Sequence, residues 1–138
     1  MRITNYKTII CDIDGVILKC NHFVDIEDFY NNIFDCYPVD SMVDLINGLY
    51  SHGYNIIFLT ARDAKCRYAT LHQLKECFNF PIKLYMRLHN DIREDWVIKE
   101  EYLKLLQTEH NIVLALDDNE GNCQMFSRNG IPILKILN

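Results

Sequence analysis

Residues 9–16 read Ile-Ile-Cys-Asp-Ile-Asp-Gly-Val, a short apolar run that stops at two aspartates and a glycine. An apolar run without polar alternation is typical of a strand that is covered on both faces of its sheet. We therefore predict a first strand over residues 8–11. Similar runs predict four more strands, at residues 56–59, 82–86, 112–116 and 133–137.

Between these runs, apolar residues recur with helical spacing at residues 42–49, 71–78, 98–106 and about 119–129. Ser41 and Asp44 predict a capping box at the start of the first of these helices. Pro81 predicts the end of the second, and Gly130 with Pro132 the end of the fourth. Alternating strands and helices predict an α/β fold, a doubly wound parallel sheet of about five strands with helices on both faces.

Residues 16–40 interrupt the alternation, because they stand between the first strand and the first regular helix. We predict one domain over residues 1–138, in which 16–40 form a small insert that begins as a flap and ends as a short helix. The aromatic residues of this insert have helical spacing, which favours core packing over stacking on a nucleobase. They are Phe29, Tyr30, Phe34 and Tyr37.

Composition narrows the choice of partners and of compartment. The net charge is −5, and no basic stripe is evident, so tight non-specific binding of polynucleotides is not expected. This charge is still compatible with action on the end of a strand. No apolar run approaches the ~20 residues that cross a bilayer, and no signal-peptide pattern is seen, which predicts no membrane contact and a cytoplasmic location. The six cysteines are scattered without a C-x-x-C pair, which predicts reduced thiols.

Polar residues follow several of the predicted strands. The carboxyl ends of parallel strands meet at one edge of the sheet, where ligands bind. Residues at or near this edge are Asp12, Asp14, Thr60, Lys99, Asp117 and Asp118. So many carboxylates in one crevice require a compensating cation. Because the ligands are hard oxygens and the site must also hold phosphate, we expect Mg²⁺, with Asp12, Asp14, Asp117 and Asp118 as candidate ligands.

These residue types suit phosphoryl transfer through a covalent intermediate. Asp12 would attack phosphorus in line and form an aspartyl-phosphate. Asp14 would protonate the leaving oxygen and then activate water. Thr60 would donate a hydrogen bond to the phosphate, and Lys99 would balance the charge on its oxygens.

The order of these motifs resembles the haloacid dehalogenase superfamily, and the chain looks most similar to the phosphatase domain of phage polynucleotide kinase–phosphatase. The likeness rests on residues 12–16, Thr60, the stretch 91–101 around Lys99, and 114–118. It implies that Asp12 is the nucleophile, that Asp14 is the acid/base, and that Asp12, the Asp14 carbonyl and Asp117 hold Mg²⁺. By analogy, Arg62 and Arg93 would contact the substrate. The chain departs from the pattern in having Thr-Ala-Arg where Ser-Gly-Arg is expected.

Several alternatives stay open at this point. The phosphate could belong to the 3′ end of a polynucleotide, to a 5′-mononucleotide or to another small phosphometabolite. A phospho-receiver module also combines acidic residues, Thr and Lys on a doubly wound sheet. A calcium loop would place its glycine at position six rather than directly after the second aspartate. A homo-oligomer, in which a neighbouring subunit covers the open site, is a further possibility.

Overall fold

A computed structural model describes residues 6–138 of the chain. Its strands are β1 (Lys7–Cys11), β2 (Leu18–Lys19), β3 (Tyr37–Pro38), β4 (Asn55–Asp63), β5 (Leu84–Arg87), β6 (Asn111–Asp117) and β7 (Ile133–Lys135). Its α-helices are α1 (Ile26–Asn31), α2 (Asp40–Ser51), α3 (Arg67–Cys77), α4 (Asp95–Gln107) and α5 (Glu120–Arg128). None of the helices within residues 6–138 is long and apolar enough to cross a bilayer.

The main sheet has five strands in the order β5-β4-β1-β6-β7, and all its neighbouring pairs are parallel. β1 lies at the centre, where Ile10 pairs with Ile57 of β4 and with Ala115 of β6. This confirms the prediction of a doubly wound α/β fold of about five strands. Because every strand points the same way, the carboxyl ends of β1, β4 and β6 meet at one edge.

Side chains that alternate along the central strands build two cores. Ile9 and Phe58 point to one face, where they pack with Ile46 of α2 and Leu74 of α3. The opposite face is covered by α4 and α5, through the buried residues Ile10, Ile57, Leu103, Leu106, Met125 and Phe126. Burial on both faces explains why the strands read as continuous apolar runs.

The predicted helices are present, but two of their ends differ from the expectation. α2 begins at Asp40 after the N-cap residue Val39, which makes no side-chain capping bond, so the predicted Ser41 capping box is wrong. Asp40 itself provides a negative charge in the first turn, where the helix dipole favours it. α3 ends at Cys77 rather than at Pro81, because Phe78 leaves the helix in an extended conformation and packs 5.2 Å from the ring of Phe58.

The insert after β1 forms a small flap, defined here as residues 16–39. It contains the antiparallel pair β2–β3, the helix α1 and a 3₁₀ turn at Ile33–Asp35. The prediction that its aromatic residues pack in the core is wrong for Phe34 and Tyr37, which are 60% and 48% exposed. The helix ends at Asn31, so Phe34 in the 3₁₀ turn and Tyr37 in β3 lie outside it, and the helical spacing does not hold there.

A disulfide between Cys20 and Cys36 corrects the expectation that all thiols are reduced. Cys20 follows β2 and Cys36 precedes β3, so the pairing of these two strands brings the cysteines together. Their separation of 16 residues in the sequence gave no sign of this contact. The other four cysteines are free. The disulfide therefore closes the part of the flap that carries α1.

Reduction of this disulfide is expected to lower the stability of the chain by about 3 kcal/mol, since a cross-link that closes a loop of this length restricts the unfolded state by roughly that amount. The measurement is urea unfolding with and without a dithiol reductant. Cys36→Ala should remove the response to reductant, whereas Cys77→Ala, at a free cysteine on α3, should keep it. An unfolding midpoint that ignores reductant would contradict the cross-link.

Candidate active site

Asp12, Lys99 and Asp117 form a buried hydrogen-bonded group at the carboxyl edge of the sheet. Asp12 follows β1, and its backbone N–H donates to the Leu116 carbonyl on β6 at 3.0 Å. Lys99 is on the second turn of α4, and its Nζ donates to Asp12 Oδ1 at 2.9 Å and to Asp117 Oδ2 at 2.8 Å. Lys99 and Asp117 are each 1% exposed. The structure thus brings together three of the residues expected from the motif order.

The charges in this group depend on one another. Burial alone would lower the pKa of Lys99, but the carboxylates of Asp12 and Asp117 outweigh it and hold that pKa above its ordinary value. Burial raises the pKa of Asp12 well above its usual range, even though Lys99 opposes the shift. Burial therefore disfavours the ionised form of Asp12 that a nucleophile needs, and further positive charge beside its carboxylate would favour that form.

Asp118 completes an acidic cluster that suits a divalent cation. Carboxylate oxygens of Asp12, Asp117 and Asp118 lie within 4.8 Å of one another. Burial and the neighbouring Asp117 raise the pKa of Asp118. Lys99 balances one of the three negative charges, and the two that remain match the charge of one Mg²⁺. Hard oxygen donors at this spacing fit magnesium better than a softer metal.

The Asp14 carboxylate points away from this cluster and pairs with Arg62. Arg62 Nε donates to Asp14 Oδ2 at 2.9 Å, and Nη2 donates to Oδ1 at 2.7 Å. On its other side, Nη1 donates to Thr70 Oγ1 at 3.0 Å and to Gln73 Oε1 at 2.7 Å. Arg62 is 2% exposed. Its hydrogen bonds to α3 hold the guanidinium in place on one side, and its bonds to Asp14 fix that carboxylate on the other. Any part that Asp14 plays in holding a metal falls to its backbone carbonyl, as the resemblance implies.

Thr60 lies on β4 beside this pair and is 1% exposed. Its Oγ1 accepts a hydrogen bond from the backbone N–H of Arg62 at 3.1 Å. A hydroxyl that accepts in this way still has its own proton to donate. Thr60 can therefore serve as a donor towards an oxygen placed near Asp12.

Gly15 has a left-handed backbone, with φ +82°, because the chain must turn sharply after Asp14. A Cβ at this position would lie 2.0 Å from Asp118 Oδ2 and 2.5 Å from its Cγ. The glycine is therefore needed both for the turn and for the position of Asp118.

Gly15→Ala is expected to raise the Mg²⁺ concentration needed for half-maximal activity at least about tenfold, because the new Cβ displaces Asp118 and the strained backbone costs roughly 1–2 kcal/mol. The measurement is the rate of phosphate release across a magnesium titration. Gly48→Ala on α2 is the control, since its Cβ would meet nothing within 4 Å. An unchanged magnesium dependence in Gly15→Ala would argue against Asp118 as part of the metal site.

Two residues of the site were not identified from the sequence. Asn122, on the first turn of α5, donates from Nδ2 to both oxygens of Asp117 at 3.3 Å, and its Oδ1 is buried without a hydrogen-bond partner in the described residues. Arg87, at the end of β5, pairs with Asp95 on α4 and donates to the carbonyls of Asp91 and Arg93. Neither residue is part of an apolar run or a recognisable motif, so no local pattern could have indicated them.

Arg93, expected to contact substrate, lies at the rim of the site. Its guanidinium pairs with Asp91 and with Glu101 of α4, and its side chain is 45% exposed. Hydrogen bonds from Arg93 lower the pKa of Asp91 to about 2. The structure therefore places Arg93 beside the groove with both of its acidic neighbours already bound to it.

The site opens into a groove of about 1210 Å³ that the flap covers only on one side. Phe29 and Tyr30 of α1 line one wall, and residues 90–93 of the loop before α4 line another. The sulfur of Cys20 lies 3.5 Å from Asp14 Oδ1, so the flap disulfide touches the site directly. The groove can therefore admit a ligand much larger than inorganic phosphate.

Comparison with known proteins identifies the family of the chain and relatives with the same fold. A family model described as the polynucleotide kinase PNKP phosphatase domain matches residues 6–138. A chain from a structure of the Pnkp1/Rnl/Hen1 RNA repair complex is 25% identical with a TM-score of 0.84, and the match covers 99% of this chain and 44% of that one. A chain from a second Pnkp1/Rnl/Hen1 structure is 26% identical with a TM-score of 0.83, over 96% and 47%.

A haloacid dehalogenase-like hydrolase from Streptococcus pneumoniae is 12% identical with a TM-score of 0.61, and the match covers 94% of this chain and 84% of that one. At that identity the likeness concerns the fold alone. No curated protein sequence matches the chain. The chain spans less than half the length of the two matched chains from the Pnkp1/Rnl/Hen1 structures, 44% and 47%.

Proposed function

Since the chain belongs to the polynucleotide kinase PNKP phosphatase domain family and is therefore a phosphatase of the haloacid dehalogenase fold, we propose that it removes the phosphate from the 3′ end of a nucleic acid strand in a magnesium-dependent reaction. The family assignment excludes the phospho-receiver alternative. One observation carries the proposal about the substrate. The groove that leads away from Asp12 is open and about 1210 Å³ in volume, which exceeds the ~300–1,000 Å³ typical of pockets for small ligands.

Asp12 is the nucleophile in this proposal. Its carboxylate oxygen attacks phosphorus, the bond from phosphorus to the 3′ oxygen breaks, and an aspartyl-phosphate forms on Asp12. Lys99, held at 2.9 Å from Asp12 Oδ1, remains charged and stabilises the negative charge that accumulates on the phosphoryl oxygens. Thr60 donates a hydrogen bond to the same group from the neighbouring strand β4.

Asp14 transfers protons in both halves of the reaction. Carrying a proton before the substrate reacts, it gives that proton to the leaving 3′ oxygen, and it later takes one from the water that attacks the phosphorus of the aspartyl-phosphate, which releases inorganic phosphate and restores Asp12 and the protonated Asp14. The bidentate pair with Arg62 is a pair of charged groups, so it orients the ionised Asp14 that takes the proton from water, and the protonated Asp14 of the first step keeps one of the two hydrogen bonds. We therefore assign Arg62 to the positioning of Asp14 rather than to contact with substrate.

Asp12, Asp117 and the Asp14 carbonyl, with Asp118 beside them, would hold Mg²⁺. The ion supplies positive charge that keeps Asp12 ionised and compensates the incoming phosphate. Three carboxylates have oxygens within 4.8 Å of one another, and Lys99 is the one cationic side chain of residues 6–138 that pairs with Asp12 and Asp117, which supports this assignment.

The experiment is a panel of phosphate donors, assayed for phosphate release with Mg²⁺ and with a chelator. It contains 3′-phosphorylated RNA and DNA oligonucleotides, 3′- and 5′-mononucleotides and a sugar phosphate. We expect the highest kcat/KM on the 3′-phosphorylated oligonucleotides and no turnover with the chelator. Preference for a 5′-mononucleotide or a sugar phosphate would overturn the assignment of substrate. Full activity with the chelator would overturn the assignment of metal.

A further inference from the structure

The groove extends well beyond the residues that handle phosphate. Its floor holds Asp12 and Lys99, and its walls include α1 of the flap and residues 90–93 of the loop before α4. If a terminal phosphate lies at Asp12, the sugar and base attached to it lie between these walls. The side chains that the walls offer therefore decide what the enzyme contacts beyond phosphate.

The aromatic residues of the flap wall are already engaged. Phe29 packs edge-on against Phe23, and the guanidinium of Arg62 lies over its ring at 5.5 Å. Tyr30 has Lys65 over its ring at 4.4 Å, and its hydroxyl accepts the backbone N–H of Asp63 at 2.8 Å. A base that stacked on either ring would compete with a cation that already occupies a face.

Two aliphatic side chains on the same walls are instead presented to solvent. Ile26 begins α1 and is 69% exposed, and Ile92 in the loop before α4 is 96% exposed. Both line the groove. Because both side chains border the groove that leads to Asp12, a ligand that enters the groove can bury apolar surface against them, and this burial would stabilise the complex.

Ile92 is held in this exposed position by its neighbours. Arg87 Nη1 donates to the carbonyl of Asp91 at 2.7 Å and to that of Arg93 at 2.6 Å, which are the residues on either side of Ile92. The Asp91 N–H also donates to the Leu88 carbonyl at 3.0 Å. Hydrogen bonds on both sides of Ile92 thus fix the turn, and they hold the Ile92 side chain on the surface.

We propose that Ile26 and Ile92 form an apolar clamp that holds the nucleobase of the nucleotide whose 3′ phosphate is removed. The proposal rests on the proposed function, because it takes the occupant from the phosphate site at the floor of the same groove. A nucleobase fits the chemistry of the clamp, since its flat faces are apolar and contact with them does not depend on sequence. The enzyme would then recognise the presence of a terminal base without reading its identity.

The experiment compares two 3′-phosphorylated DNA oligonucleotides that differ only in whether the terminal nucleotide carries a base or is abasic. The wild type should prefer the strand with the base. Ile92→Ala and Ile26→Ala should each reduce that preference in kcat/KM about three- to tenfold, because each removes part of the apolar surface that the base would bury.

Matched controls exist on each wall. Leu88 is 67% exposed and shares the loop with Ile92, and Val24 is 82% exposed and precedes α1, yet neither lines the groove. Leu88→Ala and Val24→Ala should keep the preference of the wild type. Equal kcat/KM for both strands in the wild type, or unchanged preference in both isoleucine variants, would overturn the clamp. Failure of the wild type to hydrolyse any 3′-phosphorylated oligonucleotide would instead overturn the proposed function.

Discussion

Asp12→Asn is expected to reduce phosphate release by about 10⁴-fold or more, because the amide cannot form the aspartyl-phosphate and losses of this size follow removal of a nucleophile. The variant should fold. Lys99 keeps its bond to Asp117 at 2.8 Å, and the acidic cluster loses one of its like charges. The measurement is single-turnover hydrolysis of a 3′-phosphorylated oligonucleotide, together with urea unfolding.

The control for this variant is Asp44→Asn, which makes the same chemical change at an exposed position on α2. It should retain the activity of the wild type. If Asp12→Asn instead kept substantial activity, a water molecule rather than Asp12 would be the attacking group. If it unfolded, the loss of activity would carry no information on mechanism, so the unfolding curve is part of the result.

Lys99→Met is expected to impair both folding and catalysis. Removing one partner of a buried ion-paired group leaves carboxylates without compensation, which typically costs about 3–5 kcal/mol. We expect a loss of this size in unfolding free energy with a chelator present, and a smaller loss with saturating Mg²⁺, because the cation replaces part of the missing charge. Catalysis should fall at least about 10²-fold even with Mg²⁺, because the phosphoryl oxygens lose a charged donor.

Lys104→Met is the matched control, since Lys104 is on the same helix, α4, but is exposed. It should change unfolding free energy by less than about 0.5 kcal/mol, as surface substitutions usually do. Equal destabilisation by Lys99→Met and Lys104→Met would contradict the buried ion-paired group. Equal destabilisation of Lys99→Met with and without Mg²⁺ would contradict the claim that a cation shares the site with Lys99.

The sheet and the order of the motif residues could be predicted because both depend on short, contiguous sequence patterns. A strand buried on both faces needs an uninterrupted apolar run, and 112–116 shows one directly before Asp117. Parallel strands then bring Asp12, Thr60 and Asp117 to one edge without any knowledge of side-chain contacts.

What could not be predicted depends on contacts between distant segments. Arg62 is held by Asp14 from one side and by Thr70 and Gln73 from the other, and only the fold places these residues around it. The Cys20–Cys36 disulfide depends on the pairing of β2 with β3, two strands of two residues each that leave no apolar pattern. Helical spacing likewise shows which residues share a face of α1, but not that this face borders a groove.

The account turns on Asp12 as the site of covalent phosphorylation. The most direct measurement is acid quenching of the wild type during turnover of a 3′-phosphorylated oligonucleotide with Mg²⁺, followed by peptide mass spectrometry. We predict a phosphate, labile to hydroxylamine, on the peptide that contains Asp12, and none in Asp12→Asn. Rapid turnover with no phosphate on any acidic residue, or a phosphate on a residue other than Asp12, would contradict the account.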